Sequence, residues 1–175
     1  MKTSHRVVIV AIVALIGGTP TRAQAPKPTP QHEQLKKLVG SWDAKVKFLG
    51  KESKGTMTYR QQHGGLWLVS HFSGEIGGGK FEGDGLDGYD SLKQKFVSIW
   101  ADSLAPEVLI TEGTWDKEKK QMTMTGKGIG QDGKAAKIRT VTTWNNDDDI
   151  DFVFYMSNAD GKEQEIVKIA YNRKK

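Results

Sequence analysis

Hydrophobic and polar residues alternate along much of the chain from Ser41 onward. One side of the first such segment carries Trp42, Ala44, Val46 and Phe48. Alternation with a period of two is typical of β-strands that bury one face. Clusters of Gly, Asp and Asn separate segments of roughly eight to eleven residues, which predicts about ten strands.

A single short helix is predicted ahead of the strands. Pro30 suits a first helical turn, and Leu35, Leu38 and Val39 form an apolar stripe that stops at Gly40, so we expect a helix from about Pro30 to Val39. No later segment has the length of a helical crossover, and consecutive strands should therefore pair antiparallel. We predict an all-β antiparallel barrel of about ten strands, because closure removes exposed sheet edges.

The beginning of the chain has the layout of a signal peptide. Lys2 and Arg6 precede the apolar run 7–16, and a polar stretch follows that ends in Ala23-Gln24-Ala25. The run is shorter than the about 20 residues that span a bilayer, which favours a cleaved leader over an uncleaved anchor. We therefore expect export to the periplasm or the medium, with no stable membrane anchor after cleavage.

This leader, residues 1–25, carries most of the positive charge. The chain has a net charge of +5, but Lys2, Arg6 and Arg22 lie in the leader, and 23 basic residues remain against 21 acidic ones. The remaining cations are scattered between acids, so the basic stripe of a nucleic-acid-binding protein is missing. The absence of cysteine excludes disulfides and thiolate metal sites. We expect a proline-rich tether over 26–30 and one barrel domain over 31–175.

Two sequence patterns match cofactor or metal motifs but lack their context. The segment 83–88 reads G-x-G-x-x-G, yet no helix follows it to receive a pyrophosphate. We expect its glycines to allow strand bending or close backbone approach. The aspartates at 84, 87 and 90, and those of the cluster 147–151, lack the order of a calcium loop and are interpreted as solvated turns. No histidines have zinc-site spacing, so neither cofactor nor metal is expected.

Polar residues in mid-strand positions point to an interior cavity, since a small barrel filled only by packing would favour apolar residues inside. If the relevant strand faces point inward, the side chains of Tyr59, His71, Asp102 and Glu112 converge in an aromatic-lined pocket. The alternative is that one or more of these faces is solvated. The candidate ligand-binding residues are Tyr59, Trp67, His71, Trp100, Asp102 and Glu112. No catalytic residues are assigned, since G-x-S-x-G is absent and the separation of Asp102 from Glu112 is unknown.

Gly40-Ser41-Trp42, after a short helix and at the start of the first strand, resembles the G-x-W signature of the lipocalin and calycin superfamily. In that superfamily the Trp closes one end of the barrel under a basic side chain from the last strand. The resemblance assigns this closure to Trp42 and Arg173, with Lys168 as the weaker choice for the basic residue.

The chain also resembles the exported bacterial family called domain of unknown function 1579. The resemblance covers about Gln31 to Arg173 and implies a ten-stranded lipocalin-like barrel without an established activity. The nitrobindin-like haem barrels share the G-x-W but need a late histidine as iron ligand, and no histidine follows His71. The motifs in order are His32-Glu33 with Leu38-Val39-Gly40-Ser41-Trp42, Gly64-Gly65-Leu66-Trp67-Leu68, Phe81-Glu82-Gly83 with Gly88-Tyr89-Asp90, Trp100-Ala101-Asp102-Ser103, and Glu112-Gly113-Thr114.

The leading hypothesis is an exported barrel that binds a small, largely apolar ligand in its interior. One alternative is a hydrolase-like or isomerase-like enzyme that uses interior carboxylates. The other is a filled barrel with an interaction role.

Overall fold

The computed structural model describes residues 25–130, 133–157 and 160–175. The predicted signal peptide lies outside these ranges apart from Ala25. Within them, no helix has the length and apolar character needed to cross a membrane. The elements are α1 (Pro30–Lys36), β1 (Gly40–Phe48), β2 (Lys51–Gln62), β3 (Trp67–Ile76), β4 (Gly79–Asp90), β5 (Lys95–Asp102), β6 (Ala105–Asp116), β7 (Gln121–Ile129), β8 (Ala135–Asn146), β9 (Asp149–Ser157) and β10 (Glu163–Arg173), with a 3-10 turn at His63–Gly65.

The ten strands form one closed antiparallel barrel. Each strand pairs with its neighbours in the chain, and β1 pairs with β10, with Trp42 opposite Arg173 and Phe48 opposite Val167. Closure satisfies the backbone hydrogen bonds that the first and last strands would otherwise leave unpaired. The predicted fold class is confirmed.

The helix is shorter than predicted, because it ends at Lys36 rather than at Val39. The amides of Leu38 and Val39 donate to the carbonyls three residues earlier, at 3.0 Å each, which tightens the chain into a turn. Gly40 follows with a φ of +126°, a conformation that favours glycine. The apolar stripe therefore continues past the helix into the turn that leads to β1.

The two ends of the barrel differ. We call the end that carries α1, Trp42 and Arg173 the closed end, and the opposite end, which carries the β1–β2, β3–β4, β5–β6, β7–β8 and β9–β10 connections, the open end. At the closed end the Arg173 guanidinium lies 4.1 Å from the centroid of the Trp42 ring. The Trp42 indole N–H donates to the Leu38 carbonyl at 2.8 Å. The stacking that the resemblance implies is thus present, and Trp42 is 1% exposed.

Arg173 also ties the last strand to two other segments. Its guanidinium donates to the carbonyls of Val39 and Lys37, both at 2.7 Å, and to that of Asp147 at 3.0 Å. An ion pair to Asp148 at 3.1 Å completes the contacts. The planar guanidinium has five N–H donors and can reach these several acceptors at once, which a lysine ammonium cannot do.

Candidate functional site

The barrel interior is hollow rather than packed solid. A cavity of about 700 Å³ runs along it, from Leu35 and Leu38 at the closed end to Leu104 and Ile129 near the open end. Leu104 and Ile129 are 65% and 52% exposed, so the cavity reaches the surface at the open end. The interior is therefore not filled by side chains, as the alternative of a filled barrel would require.

One wall of the cavity is mainly apolar. It comes from β7 to β10, where inward-facing residues of neighbouring strands lie directly opposite one another, with Thr140 and Thr142 as the polar exceptions. The apolar side chains of this wall are Met122, Met124, Ile138, Phe152, Phe154, Met156, Val167 and Ile169.

The facing wall, from β2 to β6, carries a run of polar side chains. Tyr59 pairs with Ser70 across β2 and β3, and Asp87 pairs with Ser98, which in turn pairs with Thr111, across β4 to β6. Directly paired residues share a face of the sheet, and all five side chains line the cavity. The pairing register thus brings hydroxyl and carboxyl groups from five strands to one wall.

Asp87 is the ionisable acid at the deep end of this wall. β4 runs from the open end to the closed end, and Asp87 lies three residues before its last residue, Asp90. The surface that Asp87 retains faces the cavity. Burial raises the pKa of Asp87 from 3.8 to about 6, and hydrogen bonding by the Ser98 hydroxyl lowers it only in part. The causes of this pKa shift are burial and the Ser98 hydrogen bond, with no charge of a described Lys, Arg or His among them.

Two tyrosines share this environment. Burial raises the pKa of Tyr59 well above its usual value, and nearby Tyr171 and Asp87 raise it further. Burial likewise raises the pKa of Tyr171. Both phenols therefore stay protonated at neutral pH, and each keeps one O–H donor and its acceptor lone pairs.

Trp100 and Asp102 lie nearer the open end. The Trp100 indole N–H donates to one Asp102 oxygen at 2.9 Å, and the other oxygen accepts the Leu104 amide at 2.8 Å. The Trp100 ring lies over Gly83 and Gly85: a Cβ atom on Gly83 would overlap the ring, and one on Gly85 would overlap the Ser70 hydroxyl and crowd the ring. The glycines thus allow close approach of an indole ring, whereas the sequence pointed to strand bending or backbone approach.

Three of the candidate ligand-binding residues lie on the outer face, so the alternative of a solvated face holds for His71 and Glu112, and Trp67 does not line the interior. His71 contacts Asp84 at 2.9 Å on the exposed surface. Glu112 pairs with Lys93 and Lys95, and the hydrogen bond from Lys93, together with the charges of both lysines, lowers the pKa of Glu112. Trp67 packs outside the barrel against Gly88, its partner on β4. Of the candidates, only Tyr59, Trp100 and Asp102 line the cavity.

The outward position of Glu112 also separates the predicted carboxylate pair, since Asp102 faces the cavity and Glu112 does not. The interior acid that sequence reasoning missed is Asp87, which was interpreted as part of a solvated turn. It lies inside β4, in phase with Phe81 and Tyr89. Following the period of two through the glycines between Phe81 and Tyr89 would have found it.

Residues 25–130, 133–157 and 160–175 contain no group of three or more His, Asp or Glu side chains that could hold a metal ion. His32, on α1, is buried. Its ring nitrogen accepts the Thr29 amide at 3.0 Å and so caps α1.

A closed ten-stranded barrel with a helix at one end and a lined interior cavity defines the protein as a lipocalin-like barrel. The chain belongs to the family described as protein of unknown function (DUF1579), whose model matches residues 27–173. This match confirms the resemblance. Comparison with curated proteins gives no match.

The fold is similar to that of several solved structures. Rv2717c from M. tuberculosis has 14% identity and a TM-score of 0.61, and the match covers 84% of this chain and 99% of that one. The S-type phycobiliprotein lyase CPES from Guillardia theta has 12% identity and a TM-score of 0.54, with 83% and 93% covered. At these identities the likeness concerns the fold alone.

Proposed function

We propose that the protein is an exported barrel that binds a small, largely apolar molecule in its interior. The observation that carries the proposal is the open cavity of about 700 Å³. Its volume lies inside the roughly 300–1,000 Å³ range of small-molecule sites, and its mix of many apolar residues with a few polar ones is typical of them. Export rests on the signal-peptide layout of residues 1–25.

Apolar residues around the open end of the barrel support ligand entry from that end. Leu104, Val108 and Ile129 line the cavity and stay at least half exposed near the open end. The Trp42 and Arg173 contacts block the opposite end. A ligand that moves from water past these side chains into the interior gains about 0.8 kcal/mol for each CH₂ group it buries, before the cost of association.

A substitution that fills the cavity tests the proposal. Thr140 is 9% exposed and lies between Met124 and Phe154 on the apolar wall. Thr140→Phe is expected to weaken the binding of decanol about tenfold or more, since a packed ring leaves no room for the chain. Isothermal titration calorimetry gives the affinity, and thermal unfolding shows that the variant is folded.

Thr125→Phe is the matched control, because Thr125 is exposed on the outer face of β7. This variant is expected to bind decanol as the unmodified protein does. Equal affinities for all three proteins, or the lack of a saturable signal with decanol in the unmodified protein, would overturn the proposed function. Ile138→Phe provides a second block of the same wall if Thr140→Phe does not fold.

A further inference from the structure

The charged residues of the cavity are unevenly distributed along its axis. Among described residues, those that line it are Asp87, Asp102, Glu107 and Lys127. Glu107 and Lys127 are exposed near the open end, and the Asp102 carboxylate already accepts two hydrogen bonds. Asp87 is therefore the acid at the closed end, and among the described residues that line the cavity there is no basic side chain at that end.

The groups that face Asp87 are acceptors and neutral hydroxyls. Its direct partners are Leu68 on β3 and Ser98 on β5. Tyr59 lies on the same wall, and Tyr171 approaches from β10, two residues before Arg173. A buried carboxylate without a cation is costly unless a positive charge or hydrogen-bond donors reach it. Ser98 donates a hydrogen bond to Asp87, the protonated phenols of Tyr59 and Tyr171 line the same cavity, and the carboxylate itself faces the open interior.

An ammonium group complements this arrangement. It carries three donors and no acceptor, and the carboxylate and hydroxyl oxygens of the closed end are acceptors. A ligand carboxylate would instead meet the like charge of Asp87. The rest of the cavity and its entrance are apolar and fit a hydrocarbon or aromatic tail. The polar group of a ligand therefore lies at the closed end, and the tail lies toward the entrance.

We infer that the closed end of the cavity binds the protonated amine of an otherwise apolar ligand, with Asp87 as its counter-ion and the tail directed toward Leu104 and Ile129. The ligand class is thus an alkyl or aryl amine. This inference rests on the proposed function, because it names the polar group of the ligand that the cavity takes.

Three probes with one chain and different head groups test the inference: decylamine, decanol and decanoate, titrated by calorimetry at about pH 7.5. A charge-assisted hydrogen bond in a buried site contributes enough to make decylamine roughly tenfold tighter than decanol. Decanoate is expected to bind most weakly. In Asp87→Asn the advantage of decylamine over decanol is expected to vanish, and this ratio of the two affinities within one variant is the quantity that tests the inference.

The matched control is Asp84→Asn, three residues away on the outer face of β4, which is expected to keep the preference for the amine. Lowering the pH to about 5 protonates Asp87 and should weaken decylamine but not decanol. Tyr59 and Tyr171 stay protonated at both pH values. Burial lowers the pKa of His32, which lies on α1 against Tyr89 of β4. The pH effect on decylamine is therefore compared with that in Asp87→Asn, where it is expected to be absent.

Two failures can be told apart. If decanol binds and decylamine has no advantage, or if Asp87→Asn keeps that advantage, the inference is overturned and the proposed function stands. If none of the three probes binds the unmodified protein, both are overturned. Asp87→Ala repeats the test with a side chain that cannot accept a hydrogen bond from the amine.

Discussion

Asp87→Asn is expected to raise the free energy of unfolding by about 3 kcal/mol at pH 8, although it alters a residue of the candidate site. In the folded protein burial raises the pKa of Asp87 from 3.8 to about 6. Between these values the folded state binds the proton more tightly than the unfolded chain does, so folding becomes less favourable as the pH rises. Asparagine has the same shape and cannot ionise, which removes this penalty.

The sign of the effect sets its pH dependence. The gain from Asp87→Asn is expected to be full above about pH 6 and to disappear below about pH 4, where the carboxyl is neutral in both states. Urea unfolding at pH 8 and pH 4 measures it. Asp84→Asn is the control, since Asp84 is exposed and its contact with His71 contributes at most about 1 kcal/mol. A variant at Asp87 that is no more stable than the unmodified protein at pH 8 would show that the carboxylate is hydrated.

Trp42→Ala is expected to lower the free energy of unfolding by about 3–5 kcal/mol, the usual cost of removing a fully buried tryptophan. The indole is 1% exposed, donates to the Leu38 carbonyl and supports the Arg173 guanidinium. Its loss leaves a cavity at the closed end and loosens the contacts of Arg173 with the turn after α1. Denaturant unfolding followed by far-UV circular dichroism provides the measurement.

Trp67→Ala makes the same change on the outer face of β3, where the ring is only half-buried. We expect Trp67→Ala to lower the free energy of unfolding by less than half as much as Trp42→Ala. The Trp67 ring buries less surface on folding, and its removal leaves the closed end of the barrel intact. Comparable losses in the two variants would mean that Trp42 acts as ordinary apolar surface rather than as the closure of the barrel.

The fold could be predicted because most strands keep the alternation of apolar and polar residues and are bounded by turn residues. In β1 the alternation of apolar and polar residues is complete, and the buried positions Trp42, Ala44 and Val46 are those it assigns to one face. Turn residues delimit strands that pair with their chain neighbours, so antiparallel order needs no long-range information. The closure by Trp42 and Arg173 came from the resemblance to the lipocalin signature, since spacing alone does not pair residues so far apart.

The site was predicted only in part, because a period of two tells which residues share a face and not which face is inside. His71 is in phase with Trp67 and Val69, and this partly apolar face is nevertheless the outer one. Likewise Ile99 and Ile110 are exposed, although their strands alternate. The register around the closed barrel decides the matter, and it depends on all ten strands together.

Asp87 was missed for a different reason. On the inner face of β4, glycines occupy the two positions between Phe81 and Asp87, since the Trp100 ring and the Ser70 hydroxyl take the space of their side chains. The strand therefore loses the apolar repeat that would have marked its buried face. A cluster of Gly and Asp then resembles a turn, which is the interpretation that the structure corrects.

Methionine methyl NMR tests interior ligand binding most directly. Beyond Met1, the methionines of the chain are Met57, Met122, Met124 and Met156, and all four line the cavity. Titration with decanol is expected to shift several of these methyl signals until they saturate, and in Thr140→Phe the shifts should need about tenfold more decanol or more. Unchanged methionine signals, with changes confined to backbone amides on the outer surface, would contradict binding in the interior.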